Sequence, residues 1–401
     1  MPWKVTNEMN QKIEFAIKAQ DSKNFSELCR EYGISRKTGY KWRDRFLARG
    51  SAGLECLSRK PKSHKQELGE FVICDLIRLK NVHLKWGPKK IRELYRRQHP
   101  NEKQPSLSSV KRVFQRAGLV KRRKKRSYRE TGRITHGVVA THPNHIWTID
   151  FKGWWLTSDG LKTEPLTIRD EFSRKILAIK ILPNTKTEGV MSSFKELFKK
   201  YGLPAYIRSD NGSPFACTRS LLGLTRLSAW WLELGIDLER SRPGKPQDNG
   251  AHERMHKDIR DELQFSNPDI SQEGFDLWKE EYNSERPHES LEMKTPDEVY
   301  IPSTQRYDPT AKVDYGMFET RCVHNTTGKL SYQGVEYQIT RALGGKKVGL
   351  QSLKGGLIVV WFAHQRLCYL CTNDYTVYPI PVEEIGADKK SVNCNLNHNK
   401  V

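Results

Sequence analysis

The sequence predicts a multidomain chain with all-α units at its N-terminus, a central mixed α/β sheet and a small β-barrel at its C-terminus. Three observations predict it. Short, well-capped helical segments fill residues 10–49 and 66–119; strand-like alternation starts near residue 140 and passes into alternating helix and strand; glycine-separated strands return beyond about 315. At 401 residues the chain also exceeds what one hydrophobic core normally organises, so two to four domains are expected.

The first unit takes residues 1–60 and reads as three short helices. Its second helix, SELCREY, is stopped by Gly33, and its third opens at Ser35, a good N-cap, which is helix-turn-helix punctuation. Gly39, Trp42 and Phe46 stand at i, i+3 and i+7 and so share an inward face, with Gly39 permitting close helix contact. Arg36, Lys37, Tyr40 and Lys41 then point outward, where a recognition helix offers side chains to the DNA major groove. The plainer alternative is a three-helix bundle with a solvated basic face.

A second helix-turn-helix-like unit spans 66–120, with Pro88 suited to a first helical turn and Ser106 or Ser108 opening the helix that carries Val110, Val113, Phe114 and Ala117. The linker at 121–139 opens with KRRKKRSYR, seven Lys or Arg in nine positions, too dense in like charge to pack as core. Arg122, Arg123, Lys124 and Lys125 are its candidate phosphate contacts; a run that merely aids solubility is the alternative.

The central region, 140–300, opens with three strand-like runs, HIWTIDFKG, LTIRDEFS and KILAIKIL, expected to form an antiparallel meander. An amphipathic helix from Thr185 to Tyr201, a strand at AYIRSD, a helix through LTRLSAWWLEL and a strand at IDLERS complete a mixed sheet. The loop RPGKPQDNG leads into a helix starting near Asp248 or Asn249, and helical segments continue to about 300. Four or five short strands within 315–380 suggest an SH3-like barrel, and 385–401 is a polar tail. Cys368 and Cys371 make a CxxC with no second pair to complete a zinc site, so they read as strand residues.

Lys and Arg number 69 against 47 Asp and Glu, a net charge of +22, which points to a polyanionic partner. No run of eighteen apolar residues occurs and the N-terminus lacks a signal-peptide layout, so no membrane partner and a cytoplasmic location are expected. Eight scattered cysteines agree with a reducing compartment.

Asp150 follows an alternating strand, Asp210 ends another in SDNGSPF, and Glu253 lies one turn into the helix after the Pro-Gly-rich loop. Carboxylates on two neighbouring strand ends and a nearby helix can converge on one point, as ligands of hard divalent cations do. Phosphodiester chemistry uses such a site, with two metals roughly 3.5–4 Å apart.

The segments WTIDF (147–151), SDNG (209–212) and RPGKPQDNGAHERMH (242–256) resemble bacterial insertion-sequence transposases with an integrase-type catalytic core, and YNSERPHESLEMKTP (282–296) resembles the stretch just after that core in the same family. The resemblance implies a ribonuclease-H-like fold in which Asp150, Asp210 and Glu253 are the catalytic and metal-binding acids. It implies two Mg²⁺ ions, with Mn²⁺ able to substitute, hydrolysis at transposon ends and strand transfer into target DNA. The implied partners are terminal inverted repeats, target DNA and at least one further copy of the chain, in the bacterial nucleoid.

Residues 211–252 make an interval of 42 between Asp210 and Glu253, longer than in many relatives, with the excess in FACTRSLLGLTRLSAWWLEL. His256, Lys257 and Arg260, at i+3, i+4 and i+7 from Glu253, are candidate DNA contacts, against a surface pairing such as Lys257 with Asp261. Asn211 and Asn249 precede glycines and read as turn formers, and Asp248 as a helix cap; Asp170 and Glu171 lack the motif context. Two other readings stay open: a catalytically silent DNA-binding repressor, and a simple nuclease of the ribonuclease H type.

Overall fold

A computed structural model describes residues 8–56, 68–120 and 137–380, apart from 152, 154, 158, 159, 161, 219, 243–248 and 265–270. Arg122, Arg123, Lys124 and Lys125 therefore lie outside the described residues, as do Asp248 and the polar tail. The chain divides into two compact units, Met1–Leu68 and Gly69–Val401.

The first unit holds α1 (Glu8–Asp21), α2 (Phe25–Glu31) and α3 (Arg36–Arg49). Asn24 caps α2, and Ser35 caps α3 by accepting from the Thr38 amide at 3.2 Å. Between them Gly33 takes φ +64°, the left-handed turn that glycine adopts without penalty. Phe15, Ala16, Leu28, Cys29, Ile34, Trp42 and Leu54 form the core. Gly39 is obligatory there, because a Cβ would stand 2.6 Å from Cys29 Sγ.

In the second unit, α4 (Glu70–Val82), α5 (Pro88–Gln98) and α6 (Leu107–Arg116) make the second helical module. Pro88 occupies the first turn of α5, and Ser106 caps α6 through the Ser109 amide at 3.1 Å. Leu76, Leu79, Ile91, Tyr95, Val110 and Phe114 are buried.

The central sheet has the order β5-β4-β1-β6-β7, built from β1 (Ile146–Phe151), β4 (Leu166–Asp170), β5 (Ile176–Lys180), β6 (Tyr206–Ser209) and β7 (Asp237–Arg240). A two-stranded hairpin, β2 (Trp155–Leu156) with β3 (Lys162–Thr163), intervenes between β1 and β4, where the strand-like runs predict no pair. β1, β4 and β5 run antiparallel, as their short connections require, whereas β6 and β7 run parallel to β1, each reached through a helix. Those helices, α7 (Thr187–Tyr201) and α8 (Arg226–Glu233), cover one face. Trp147, Ile149, Leu166, Ile168 and Ile207 pack there with Phe194, Phe198 and Trp231. On the other side, α9 (Gly250–Ile259) and α10 (Gln272–Ser284) pack through Met255, Ile259, Phe275, Trp278 and Tyr282 onto Ile176 and Ile179. α9 widens at its end into a π turn, Arg260–Gln264, and the short α11 (Pro296–Val299) comes after α10.

The C-terminal strands are β8 (Glu319–Cys322), β9 (Lys329–Tyr332), β10 (Val335–Gln338), β11 (Lys347–Ser352), β12 (Leu357–Phe362), β13 (Gln365–Cys371) and β14 (Val377–Pro379). The expected barrel is not closed among the described residues. Its strands form an open five-stranded sheet, β14-β13-β12-β11-β8, and a separate hairpin, β9–β10. The chain leaves the sheet after β8 and turns at Gly328, whose carbonyl accepts from the Ile339 and Thr340 amides. It returns as a hairpin with its own ladder, and Leu330, Tyr332 and Tyr337 share one apolar core with Val348, Val360 and Phe362. Cys368 and Cys371 are buried free thiols of β13, and burial pushes Cys368 up to about 12, which disfavours its thiolate.

The long interval before Glu253 has a structural use. Leu221, Leu222, Leu224, Ala229 and Leu232 pack into the C-terminal core, Ser220 Oγ lies 2.8 Å from Thr340 Oγ1, and Glu233 pairs with Lys346.

Candidate active site

β1 and β6 pair in parallel with Trp147 opposite Ile207 and Thr148 opposite Arg208, so two steps on Asp150 stands level with Asp210. Alternation fixes their direction. Trp147 and Ile149 enter the core under α7 and α8, so Thr148 and Asp150 face α9. Asp150 is about a quarter exposed at 27%, and Asp210 is exposed just past its strand. The Gly212 amide donates to Asp210 Oδ1 at 3.1 Å, and a Cβ on Gly212 would stand 2.9 Å from Asp210 Oδ2. Asn211 is a tie rather than a ligand, its Nδ2 donating to the Ser241 carbonyl at 2.7 Å.

Glu253 is exposed in the first turn of α9. The donor set of two aspartates and a glutamate fits a hard divalent cation. Among the described residues, however, no three His, Cys, Asp or Glu side chains are gathered into a group that would hold one. The three acids are therefore not gathered into one such group among the described residues.

What fixes α9 over this face is a hydrogen-bond ladder that sequence reading missed. His252, wholly buried, places Nδ1 2.9 Å from Thr148 Oγ1 and Nε2 2.6 Å from Thr167 Oγ1. His256 places Nε2 2.7 Å from Thr167 Oγ1 and Nδ1 3.9 Å from Asp150 Oδ2. Burial, then His256 and Arg169, hold His252 well below the usual imidazole range, so it is neutral. His256, expected on DNA, is thus turned inward. The signal in the sequence was the i, i+4 spacing of the two histidines, with Thr148 interrupting the apolar run IWTID.

Arg169, also buried, donates from Nη1 to the Ala251 carbonyl at 2.8 Å and pairs with Glu171, which also takes Arg174. Asp170 accepts from the Asn144 and Ser173 amides and the Ser173 hydroxyl. Both acids are thereby committed to holding the fold. On the outer face of α9, Lys257 and Arg260 are exposed and form no ion pair among the described residues, so the alternative pairing with Asp261 is not made. Arg254 instead reaches Asp258 at 3.3 Å. In the first unit Arg36, Lys37 and Lys41 are exposed on α3, while Tyr40 stacks on Phe25 with ring centroids 4.2 Å apart and keeps an exposed edge.

The family description "Integrase core domain" matches residues 140–246 and again 234–296; "Helix-turn-helix domain" matches 11–62, and "IS481 family transposase, C-terminal domain" matches 318–371. An uncharacterized 31.7 kDa protein of insertion element IS407 from Burkholderia multivorans is 25% identical over 57% of this chain and 80% of its own length. The transposase of insertion sequence element IS904 from Lactococcus lactis is 29% identical over 39% of this chain and 61% of its own. Among solved structures, the catalytic core domain of BIV integrase is 24% identical, covering 39% of this chain and 93% of that one at a TM-score of 0.32. No helix among the described residues is long and apolar enough to cross a membrane. With matches to a helix-turn-helix domain in front, an integrase core at the centre and an insertion-element transposase C-terminal domain behind, the chain is similar along its length to the insertion-sequence transposases that carry an integrase-type core.

Proposed function

We propose that this chain is a metal-dependent DNA transposase that cuts at transposon ends and joins them to target DNA, with Asp150, Asp210 and Glu253 as its catalytic acids. One observation carries the reading. Asp150 and Asp210 stand level on adjacent parallel strands, with Asp150 facing the helix whose first turn bears Glu253, and Lys257 and Arg260 come after Glu253, exposed and in no ion pair among the described residues.

The three carboxylates would hold two divalent cations, Mg²⁺ or Mn²⁺, which supply a lowered pKa at the attacking oxygen and charge neutralisation at the leaving oxygen. Each phosphodiester step is an in-line exchange. Water displaces a 3′-oxygen to leave a free 3′-hydroxyl, and that hydroxyl then displaces a 3′-oxygen of the target, with the phosphate retained and no bond to the protein. Lys257 and Arg260 hold phosphates of the strand beside Glu253, and the exposed α3 residues Arg36, Lys37, Tyr40 and Lys41 meet the terminal repeat. The linker residues Arg122, Arg123, Lys124 and Lys125 track the backbone between modules. Since two ends meet one target, the working form is a dimer or larger.

The test is to incubate the purified chain with oligonucleotides carrying the element's flanking ends, target DNA and Mg²⁺. Joined products from the wild type and none from Glu253→Gln, a loss of 10³-fold or more on the order expected for removing a catalytic group, support the enzyme. Shifted complexes without products from either protein would make it a DNA-binding repressor, and cleavage without joining a nuclease.

A further inference from the structure

We infer that Thr167 is a positioning residue whose single hydroxyl ties the strand carrying Asp150 to the helix carrying Glu253; the inference rests on reading those acids as a metal site. A threonine hydroxyl has one proton and two lone pairs. Thr167 Oγ1 lies 2.9 Å from the backbone carbonyl of Asp150, which can only accept, so the proton goes there. Its lone pairs then face His252 Nε2 at 2.6 Å and His256 Nε2 at 2.7 Å, and both imidazoles must donate from Nε2. His252 Nδ1 in turn lies 2.9 Å from the Thr148 hydroxyl, so the series runs on to β1 with Thr167 at its node.

The node has a geometric consequence. His252 and His256 are one turn apart on α9, on either side of Glu253, and both end on the same oxygen that holds the Asp150 carbonyl. The helix can neither rotate about its axis nor slide along β4 without breaking two of these bonds. The spacing of Glu253 from Asp150 is thus set by an uncharged residue on a third element, β4, which pairs Thr167 directly with Asp150.

Valine at this position keeps the branched shape and the strand preference of threonine but offers no hydroxyl, whereas serine keeps the hydroxyl. The experiment uses the full chain with Mn²⁺ alone as probe. It measures binding by calorimetry and hydrogen exchange in peptides covering α9. Thr167→Val should bind Mn²⁺ roughly tenfold more weakly and exchange α9 amides roughly tenfold faster, the effect of leaving buried donors unpaired, with Thr167→Ser within about twofold of wild type. Ser193→Ala deletes an equally buried hydroxyl far from the site, one that donates to the Gly189 carbonyl, and should leave both readouts in place. Should Thr167→Val fail to fold, His256→Leu removes one arm of the node and should weaken Mn²⁺ binding and loosen α9 in the same sense. Wild-type Mn²⁺ affinity and unchanged α9 exchange in the folded variant would overturn the inference. A wild type that binds no Mn²⁺ saturably counts against the metal reading instead, and the exchange measurement still decides the role of Thr167.

Discussion

The two helical modules are built alike and use their cations differently. Each has three helices, the last opened by a serine cap, Ser35 before α3 and Ser106 before α6. In the first, Arg36, Lys37 and Lys41 are exposed and the module closes around its own core. In the second, the cations of α5 bind the segment after α10: Lys89 pairs with Glu289, and Arg97 reaches Glu298 at 2.9 Å and the Met293 carbonyl at 3.0 Å. From that segment, the Arg286 guanidinium lies 5.6 Å from the Trp86 ring. Lys111, Arg112 and Arg116 of α6 stay exposed, as do Arg92 and Arg96 of α5. A cation can therefore serve phosphate or the protein itself, and the +22 net charge does not distinguish the two uses.

The largest effect expected from breaking that contrast is at Arg286, 4% exposed, which bridges Asp258 at 2.8 Å and Glu262 at 2.9 Å. Arg286→Ala leaves Asp258 with Arg254 alone and Glu262 with the Trp278 indole N–H alone, and should cost roughly 3 kcal/mol in urea unfolding, with faster hydrogen exchange in α4–α6 and no change in α1–α3.

A smaller effect is expected from Lys90, which burial, then Arg286, push down to about 8 from an ordinary 10.5. In that interval the unfolded chain holds a proton that the folded one has released. The second unit should thus gain stability as pH rises from about 8 towards about 10.5, with the gain absent below. Comparing urea midpoints near neutrality and at about pH 9.5 checks this, and Lys90→Met should remove the rise.

The smallest effect sharpens the contrast itself. Arg36→Ala should lower the slope of log affinity for DNA against log salt by about one, while Arg97→Ala should leave it unchanged. Equal changes would show that both modules lie on phosphate.

Where local pattern decides structure, the sequence was readable: Ser35 and Ser106 as caps, Pro88 in a first turn, β1 and β6 as alternating strands, and the level placement of Asp150 and Asp210 through their motifs. What escaped depends on partners distant in the chain. Thr148 and Thr167 look like ordinary strand residues until His252 is brought 104 and 85 positions back to meet them. The docking of α5 rests on Glu289 and Glu298, some 200 residues away, where no periodicity reaches. Closure of the C-terminal strands was misjudged because strand count and glycine spacing are the same for a barrel and for an open sheet faced by a hairpin.

The leucines of the stretch between Asp210 and Glu253 are common property of two domains. Leu221, Leu222 and Leu224 line the interior of the C-terminal sheet while belonging to the loop that leads towards Glu253. Shortening that stretch to a simple turn would strip both partners at once, uncovering greasy surface on each. The C-terminal sheet is thus bolted to the core rather than hung from a tether, and any rearrangement on DNA must carry the two together.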